Sequence, residues 1–376
     1  MTGVILCLSL VCLGLLWAED RQARRDRSRL EHVIYVNGIR GKSTVTRLID
    51  AGLRAGGWRV LCKTTGTVPM TIGTDNVERP LVRRGRANIK EQLRVLHQAA
   101  EEGAQVLVIE CMAVDPALQA LSQDRMVRSD IGVITNVRLD HTAEMGPTLE
   151  EICDSLSGTI PKNGTLFTAD RQFFGQLAEN GRAKGCRVEL AEPDGDLPRL
   201  DFPENVALAL AVCRELGVER EDALTGMEGY QPDPYALSAF RLPGGAVFVN
   251  ALAVNDPQST QAVYRRVAAL PGLAGRRLVL LLNNRPDRGY RTRHMELVAR
   301  ALEPGEVWLL GASQGAVRRS LRKSLPGTAV RSFRRVEELP LGDQGGDVLI
   351  FAAGNLAGPG KALLQRAEEE GEPYVL

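Results

Sequence analysis

The stretch Val33-Ile34-Tyr35-Val36-Asn37-Gly38-Ile39-Arg40-Gly41-Lys42-Ser43-Thr44 decides the fold. A short apolar strand runs into a glycine turn, and a lysine with two hydroxyl residues opens a helix that continues to about residue 57. Such a turn aims backbone N–H groups and the positive end of a helix at one point, where phosphate binds. Lys42 then reaches the β- and γ-oxygens, and Ser43 offers its hydroxyl to Mg²⁺. The spacing is G-x-x-G-K-[ST], shorter than the common G-x-x-x-x-G-K-[ST], which would need glycine where Val36 stands. The pattern predicts nucleotide contacts from Asn37, Gly38, Arg40, Gly41, Lys42, Ser43 and Thr44, with Asn37 ending the strand.

Composition narrows the class. A chain of 376 residues suits two domains, each able to bury a core. A formal net charge of +1 gives no bias toward nucleic acid, and none is expected as a partner. The cysteines show no C-x-x-C and no paired spacing, which fits small buried thiols in a reducing compartment. Four scattered histidines without H-E-x-x-H argue against a zinc hydrolase.

Residues 4–18 are uncharged and rich in Leu, Val, Ile and Cys, ending near Trp17. Arginines follow the run at 21, 24, 25, 27 and 29, whereas a cleaved signal peptide carries its positive charge before the run. The positive-inside bias therefore predicts a membrane anchor over 1–20 with the rest of the chain cytoplasmic.

From 33 to about 191, strands alternate with helices. The pattern predicts strands at 33–37, 59–63, 106–110, 131–135 and 165–169, with helices around 42–57, 88–103, 116–127, 148–158 and 171–184. Short, near-continuous apolar strands separated by helices predict a parallel sheet covered on both faces. Ligands bind at the carboxyl ends of such strands. There stand Thr64-Thr65-Gly66-Thr67, then Glu110, then Asn136, Asp140 and His141. Glu110 tips an apolar strand, where a carboxylate needs a cation such as Mg²⁺. His141 is a candidate for metal or phosphate, with Asp140 placed to orient it.

These residues together resemble the ATP-binding domain of the Mur ligases and folylpolyglutamate synthases. The carriers are Gly38-x-x-Gly41-Lys42-Ser43, Glu110, and Thr135-Asn136-x-x-x-Asp140-His141 with Gly146. Residues 36–49, Ile134–Arg138, Leu281–Arg288 and Ala353-Gly354-Asn355 most closely resemble the ligase subunits of poly-γ-glutamate synthases, and the likeness spans nearly the whole chain. It implies a P-loop, parallel-sheet α/β domain of Mur-ligase type over 30–232. A smaller Rossmann-like α/β domain over 238–376 follows, and one transmembrane helix precedes them. It implies ATP and Mg²⁺ as cofactors, with Ser43, Glu110 and His141 on metal, Lys42 and His141 in catalysis, and Asn136 and Asn205 on the nucleotide. One feature departs from the family. The carbamylated lysine that helps hold a second Mg²⁺ there would fall near Leu156, and Lys162 lies several residues later.

The prolines of Tyr230-Gln231-Pro232-Asp233-Pro234-Tyr235 break the pattern and predict a hinge. Beyond it the alternation predicts strands at 246–252, 277–283, 306–310 and 347–353, and helices near 257–270, 291–303, 312–323 and 359–369. Asp256 serves either as a helix N-cap beside Pro257 or, by the resemblance, as a residue facing nucleotide. Arg285 and Arg288 follow an apolar strand and are candidates to clamp a substrate carboxylate or phosphate. The resemblance implies a ligase that activates the terminal carboxylate of a glutamate chain as an acyl phosphate, releasing ADP, at the cytoplasmic membrane face. Its partners would be glutamate, the growing poly-γ-glutamate chain, membrane subunits and a possible second copy. A folylpolyglutamate-type ligase on a soluble substrate and a P-loop NTPase driving a membrane assembly stand as alternatives.

Overall fold

β-Branched residues fill the strand that leads to the glycine turn, and β1 (His32–Asn37) lies at the centre of its sheet with Val33–Val36 fully buried. The computed structural model describes residues 2–66, 68–83, 85–195, 197, 201–233, 235–254, 256–284 and 291–376. The chain divides into two compact units, Met1–Asp233 and Pro234–Leu376.

In the first unit the remaining strands are β2 (Val60–Thr64), β3 (Met70–Ile72), β4 (Glu78–Pro80), β5 (Val106–Glu110), β6 (Ile131–Ile134), β7 (Thr165–Thr168) and β8 (Arg187–Leu190). Their order is β4-β3-β2-β5-β1-β6-β7-β8. Pairing is parallel from β2 to β8, and β3 and β4 add an antiparallel edge. The chain runs from β1 outward to β2, returns through β5 between them, and then crosses to β6 on the other side. The carboxyl ends of β5, β1 and β6 thus meet where the strand order reverses, the place where open α/β sheets bind ligands.

Helices cover both faces. On one, α2 (Lys42–Ala55) buries Val45, Leu48, Ile49 and Leu53 in a core shared with α8 (Pro203–Glu215) and α9 (Arg220–Glu228). The helices approach closely because Gly52 faces Cys213, where an added Cβ would come within 2.7 Å of Sγ. On the other face, Tyr35, Leu107 and Ile109 pack with Val95 and Leu96 of α3 (Glu91–Glu101) and with Ala23 and Leu30.

Ala23 belongs to α1 (Thr2–Arg27), the one helix among the described residues long and apolar enough to cross a membrane. Its apolar part is exposed, from Val4 through Trp17. Its last turns are fastened to the sheet unit instead. Arg27 donates to Asp130 at 2.8 Å, Asp26 is buried beside His97 at 3.1 Å, and Lys90 pairs with Glu19 at 2.8 Å.

The second unit has the strand order β13-β12-β11-β14-β10-β9-β15. These are β9 (Ser238–Arg241), β10 (Val247–Asn250), β11 (Arg277–Asn284), β12 (Glu306–Gly311), β13 (Ala329–Ser332), β14 (Val348–Ala353) and β15 (Glu372–Pro373). The five strands from β13 to β10 are parallel, and Trp308, Phe248 and Phe351 fill the core.

The predicted α/β alternation is present in both units. The β3–β4 hairpin is a finding beyond it: its short strands carry Thr, Glu and Arg, and only the Asp75-Asn76 turn, with Asn76 at φ 60°, marks it. The helix expected over 116–127 divides. α4 (Pro116–Leu121), capped by Asp115, widens into a π-helical stretch at Ser122–Val127.

Asp50, buried in α2, is held about 6 by burial, against the opposing pull of Arg54 at 2.9 Å and of Arg47, with the buried Cys62 thiol nearby. The folded chain holds this proton more tightly than the unfolded one, so protonation favours folding. Wild-type stability therefore rises relative to Asp50→Asn as pH falls from about 7 toward about 4, and paired thermal unfolding series would show the difference.

Candidate active site

The glycine turn is built by steric exclusion. Gly38 has φ 122°, and a Cβ there would lie 2.1 Å from Thr135 Oγ1 and 2.8 Å from the Thr135 nitrogen. Gly41 has φ 79°, and a Cβ there would lie 2.7 Å from Asn205 Oδ1. Both need glycine, for conformation and for space. The end of β6 then grips the turn. Asn136 Oδ1 accepts from the Arg40 N–H at 3.0 Å while its Nδ2 donates to the Arg40 carbonyl at 3.0 Å. Thr135 Oγ1 donates to the same carbonyl at 2.6 Å. Beneath the turn, the buried Asn37 amide donates to Gln119 Oε1 at 2.7 Å and Thr159 Oγ1 at 3.1 Å.

The turn delivers the start of α2 with no side-chain cap and no acidic residue in the first turn. Its first N–H groups and its dipole are left to an anion. Lys42 folds back over the turn, donating to Gly38 O at 2.8 Å. Burial lowers its pKa, and the Glu110 charge opposes that shift. A phosphate offers this ammonium a better acceptor than a neutral carbonyl.

Ser43 Oγ donates to Glu110 Oε2 at 2.8 Å, and the same oxygen accepts the Thr65 N–H at 2.6 Å. Glu110 is 3% exposed on the tip of β5. A buried carboxylate against a serine hydroxyl, beside an anion-binding helix start, is a hard oxygen donor set that suits Mg²⁺. The residues present fit that ion: Ser43 and Glu110 would hold it beside the bound phosphates. Among the described residues no three His, Cys, Asp or Glu side chains form a ready-made metal cluster.

His141 has φ 51° and its N–H donates to Asp140 Oδ1 at 2.9 Å. Its ring Nε2 stands 3.8 Å from Asp140 Oδ2, which also takes the Arg40 guanidinium at 2.8 Å. Asp140 thus ties Arg40 to the 140–141 turn, a role the motif did not disclose. Asn205 donates to Asp201 at 2.6 Å from the first turn of α8, directly against Gly41. Thr44 is half-buried in the first turn of α2. Lys162 is exposed and pairs with Asp124 at 3.1 Å, while Leu156 is fully buried in the core.

In the second unit, Asp256 caps α10 (Pro257–Ala268) by accepting the Ser259 N–H at 2.9 Å. Arg285 and Arg288 lie outside the described residues. The strand end before them is well ordered by hydrogen bonds: Asn283 donates to the Asn355 carbonyl at 2.5 Å. Thr135 enters the sequence only as part of the strand-end motif, and its bond to the Arg40 carbonyl is new; Gln119 and Thr159, which brace the turn from beneath, are not marked by any motif. A polar side chain with no surface to face is their only mark in the sequence.

The Mur ligase middle-domain family matches residues 36–191, and the C-terminal domain of poly-gamma-glutamate synthase CapB matches residues 240–370. PGA synthase CapB of Bacillus subtilis is 33% identical over 97% of both chains. The chain belongs to the CapB family. The capsule biosynthesis protein CapB of Bacillus anthracis is 37% identical, over 76% of this chain and 64% of that protein. A folylpolyglutamate synthase/dihydrofolate synthase from Yersinia pestis, complexed with AMPPNP and Mn ion, has the same fold. Its TM-score is 0.67 at 16% identity, with 92% of this chain and 93% of that one covered. The CapB chain is thereby an ATP-dependent ligase of Mur type, and the fold expected from the glycine turn is the one observed.

Proposed function

We propose that this CapB-family chain extends poly-γ-glutamate at the cytoplasmic face of a membrane. The observation that carries the reading is the Ser43–Glu110 pair, 2.8 Å apart, beside the uncapped start of α2. It makes a place for a metal-bound triphosphate. A carboxylate oxygen of the chain terminus attacks the γ-phosphorus and ADP departs. The amine of an incoming glutamate then attacks the acyl carbon, phosphate leaves, and the nitrogen gives up a proton to a general base.

Bound Mg²⁺ would neutralise phosphate charge as the terminal phosphoryl group moves. The protein's share is positioning and electrostatics. The N–H groups at the start of α2 bind the phosphates, and Lys42 exchanges the Gly38 carbonyl for phosphate oxygens. Arg40, tied to Asp140, brings a second positive charge to the same turn. His141, Asn136 and Asn205 border that turn, and we assign them to its nucleotide side. Arg285 and Arg288 we assign to the substrate carboxylate.

Deciding the reaction takes membranes containing the chain, ATP, Mg²⁺ and glutamate. Glutamate-dependent ADP release with growth of polymer supports the reading, whereas AMP release, or ADP release indifferent to glutamate, overturns it. Any membrane subunits would be co-purified in the same preparation.

The anchor follows from α1. Its uncharged residues 2–18 reach about 26 Å, close to the thickness of a bilayer core, and Arg21, Arg24 and Arg25 stand exposed where it meets the sheet unit. Deleting residues 2–18 moves the chain from the membrane fraction to the soluble fraction with ADP affinity unchanged. Fractionation and calorimetric titration would show both; a deleted chain that still sediments with membranes would remove the anchor.

A further inference from the structure

The segment that ends the first unit returns to the metal side of the phosphate turn. Asp233 is the last residue of that unit. A Cβ built on Gly66 would fall 2.5 Å from Asp233 Oδ2 and 3.3 Å from Ser43 Oγ. The Ser43 hydroxyl is itself 2.8 Å from Glu110 Oε2, which binds the Thr65 N–H next to that glycine. Oxygens from α2, β5 and the 231–233 segment therefore gather around Gly66, where a side chain would separate them.

Arg47 fixes this approach. It is 1% exposed within α2, donates from Nη1 to the Gln231 carbonyl at 3.0 Å, and pairs through Nη2 with Glu78 of β4. Burial works against its charge, and Glu78 and Asp233 both support it. So the hairpin edge, α2 and the end of the unit are joined through one buried guanidinium, and the Asp233 carboxylate is delivered beside Ser43. A carboxylate and a hydroxyl presented on one side of such a turn are hard oxygen donors of the kind a divalent cation takes.

We propose that Asp233 is a third oxygen donor, with Ser43 and Glu110, to the Mg²⁺ that accompanies the nucleotide. Metal loading then fastens the 231–233 segment to the phosphate turn. The inference rests on the nucleotide reading of that turn and adds to it the residue that connects the site with the end of the unit.

The test uses the full chain in lipid nanodiscs, with Mn²⁺ as the paramagnetic probe titrated in the presence of ADP. Asp233→Asn weakens Mn²⁺ binding by about tenfold or more, as Glu110→Gln does. Its ADP affinity in EDTA matches wild type, and Asp233→Glu recovers most of the Mn²⁺ affinity. Unchanged Mn²⁺ binding in Asp233→Asn overturns the proposal. So does an equal loss of ADP affinity with and without metal, which marks a merely structural role. Should the Asn variant not fold, Asp233→Ser takes its place under the same two criteria. If wild type itself binds neither ADP nor Mn²⁺ with ADP, the nucleotide reading fails; if it binds both and Asp233→Asn is unaltered, only the role of Asp233 fails.

Discussion

Lys42→Ala lowers glutamate-dependent ADP release by about 10³-fold, the scale expected when one preorganised charge is removed from a phosphoryl-transfer site. Among the described residues, Lys42 at rest donates to main-chain carbonyls of the turn, Gly38 O at 2.8 Å and Ile39 O at 3.4 Å. Those contacts satisfy a buried ammonium without opposing its charge, so it remains available to phosphate. Its loss removes attraction for the transferring group while the backbone cradle stays in place, because Asn136 and Thr135 hold the Arg40 peptide independently. Thermal stability therefore changes little, and some ADP affinity survives. Single-turnover assays and calorimetry together would check this. A variant that keeps more than about a tenth of wild-type turnover would remove Lys42 from the chemistry. Lys42→Arg does not rescue, because a planar fork fits a narrow glycine turn poorly.

Gly38→Ala loses nucleotide binding and stability together. A non-glycine residue at φ 122° costs about 1–3 kcal/mol by conformation alone. The added methyl would also overlap Thr135 Oγ1 at 2.1 Å and the Thr135 nitrogen at 2.8 Å, and backbone yields less readily than a flexible side chain. Relief of that overlap pushes the turn away from β6 and breaks the bonds to Arg40. Gly57→Ala is the control: its φ is 86°, yet no atom lies within 4 Å of an added Cβ. Unfolding midpoints of the two variants separate conformational strain from collision. ADP affinity falls by about 100-fold in Gly38→Ala and stays at the wild-type level in Gly57→Ala. Equal midpoints, or intact ADP binding in Gly38→Ala, would count against the steric account of the turn.

Much of the architecture was legible in the chain because it rests on local signals. A β-branched run before Gly38, a lysine after Gly41, and recurring apolar strands of similar length indicate a parallel sheet with a phosphate-binding first turn. Glu110 was legible for the same kind of reason: a carboxylate after Val106–Ile109 sits at a strand tip. The long apolar helix α1 was legible as an uncharged run followed by arginines. The β3–β4 hairpin was not, since Thr71, Glu78 and Arg79 carry no apolar alternation and their pairing arises at the edge of a sheet already formed.

Partnerships within the site depend on distance in space, and there the sequence is mute. It placed Asp140 beside His141 because they are neighbours; the fold brings Arg40, a hundred residues away, to the same carboxylate at 2.8 Å. Asn136 reads as a residue at a ligand-binding strand end, and in the folded chain it clamps the Arg40 peptide. Asn37 faces down to Gln119 and Thr159, because the last residue of a central strand has no open side. Asp256 could be a cap or a ligand from its sequence context, and in the folded chain it accepts the Ser259 N–H as the cap of α10.

By itself, then, the sequence determined a strand, a glycine turn and a lysine-led helix, since periodicity and φ preference act over a few residues. Which carboxylates and hydroxyls gather at that turn was decided by tertiary structure alone. Glu110 reaches Ser43 because β5 lies beside β1 in register, Val36 opposite Glu110. Asp233 comes to Gly66 because Arg47 holds the end of the unit against α2. Such meetings are set by strand order and by buried charge pairs, which act across the fold and leave no pattern along the chain.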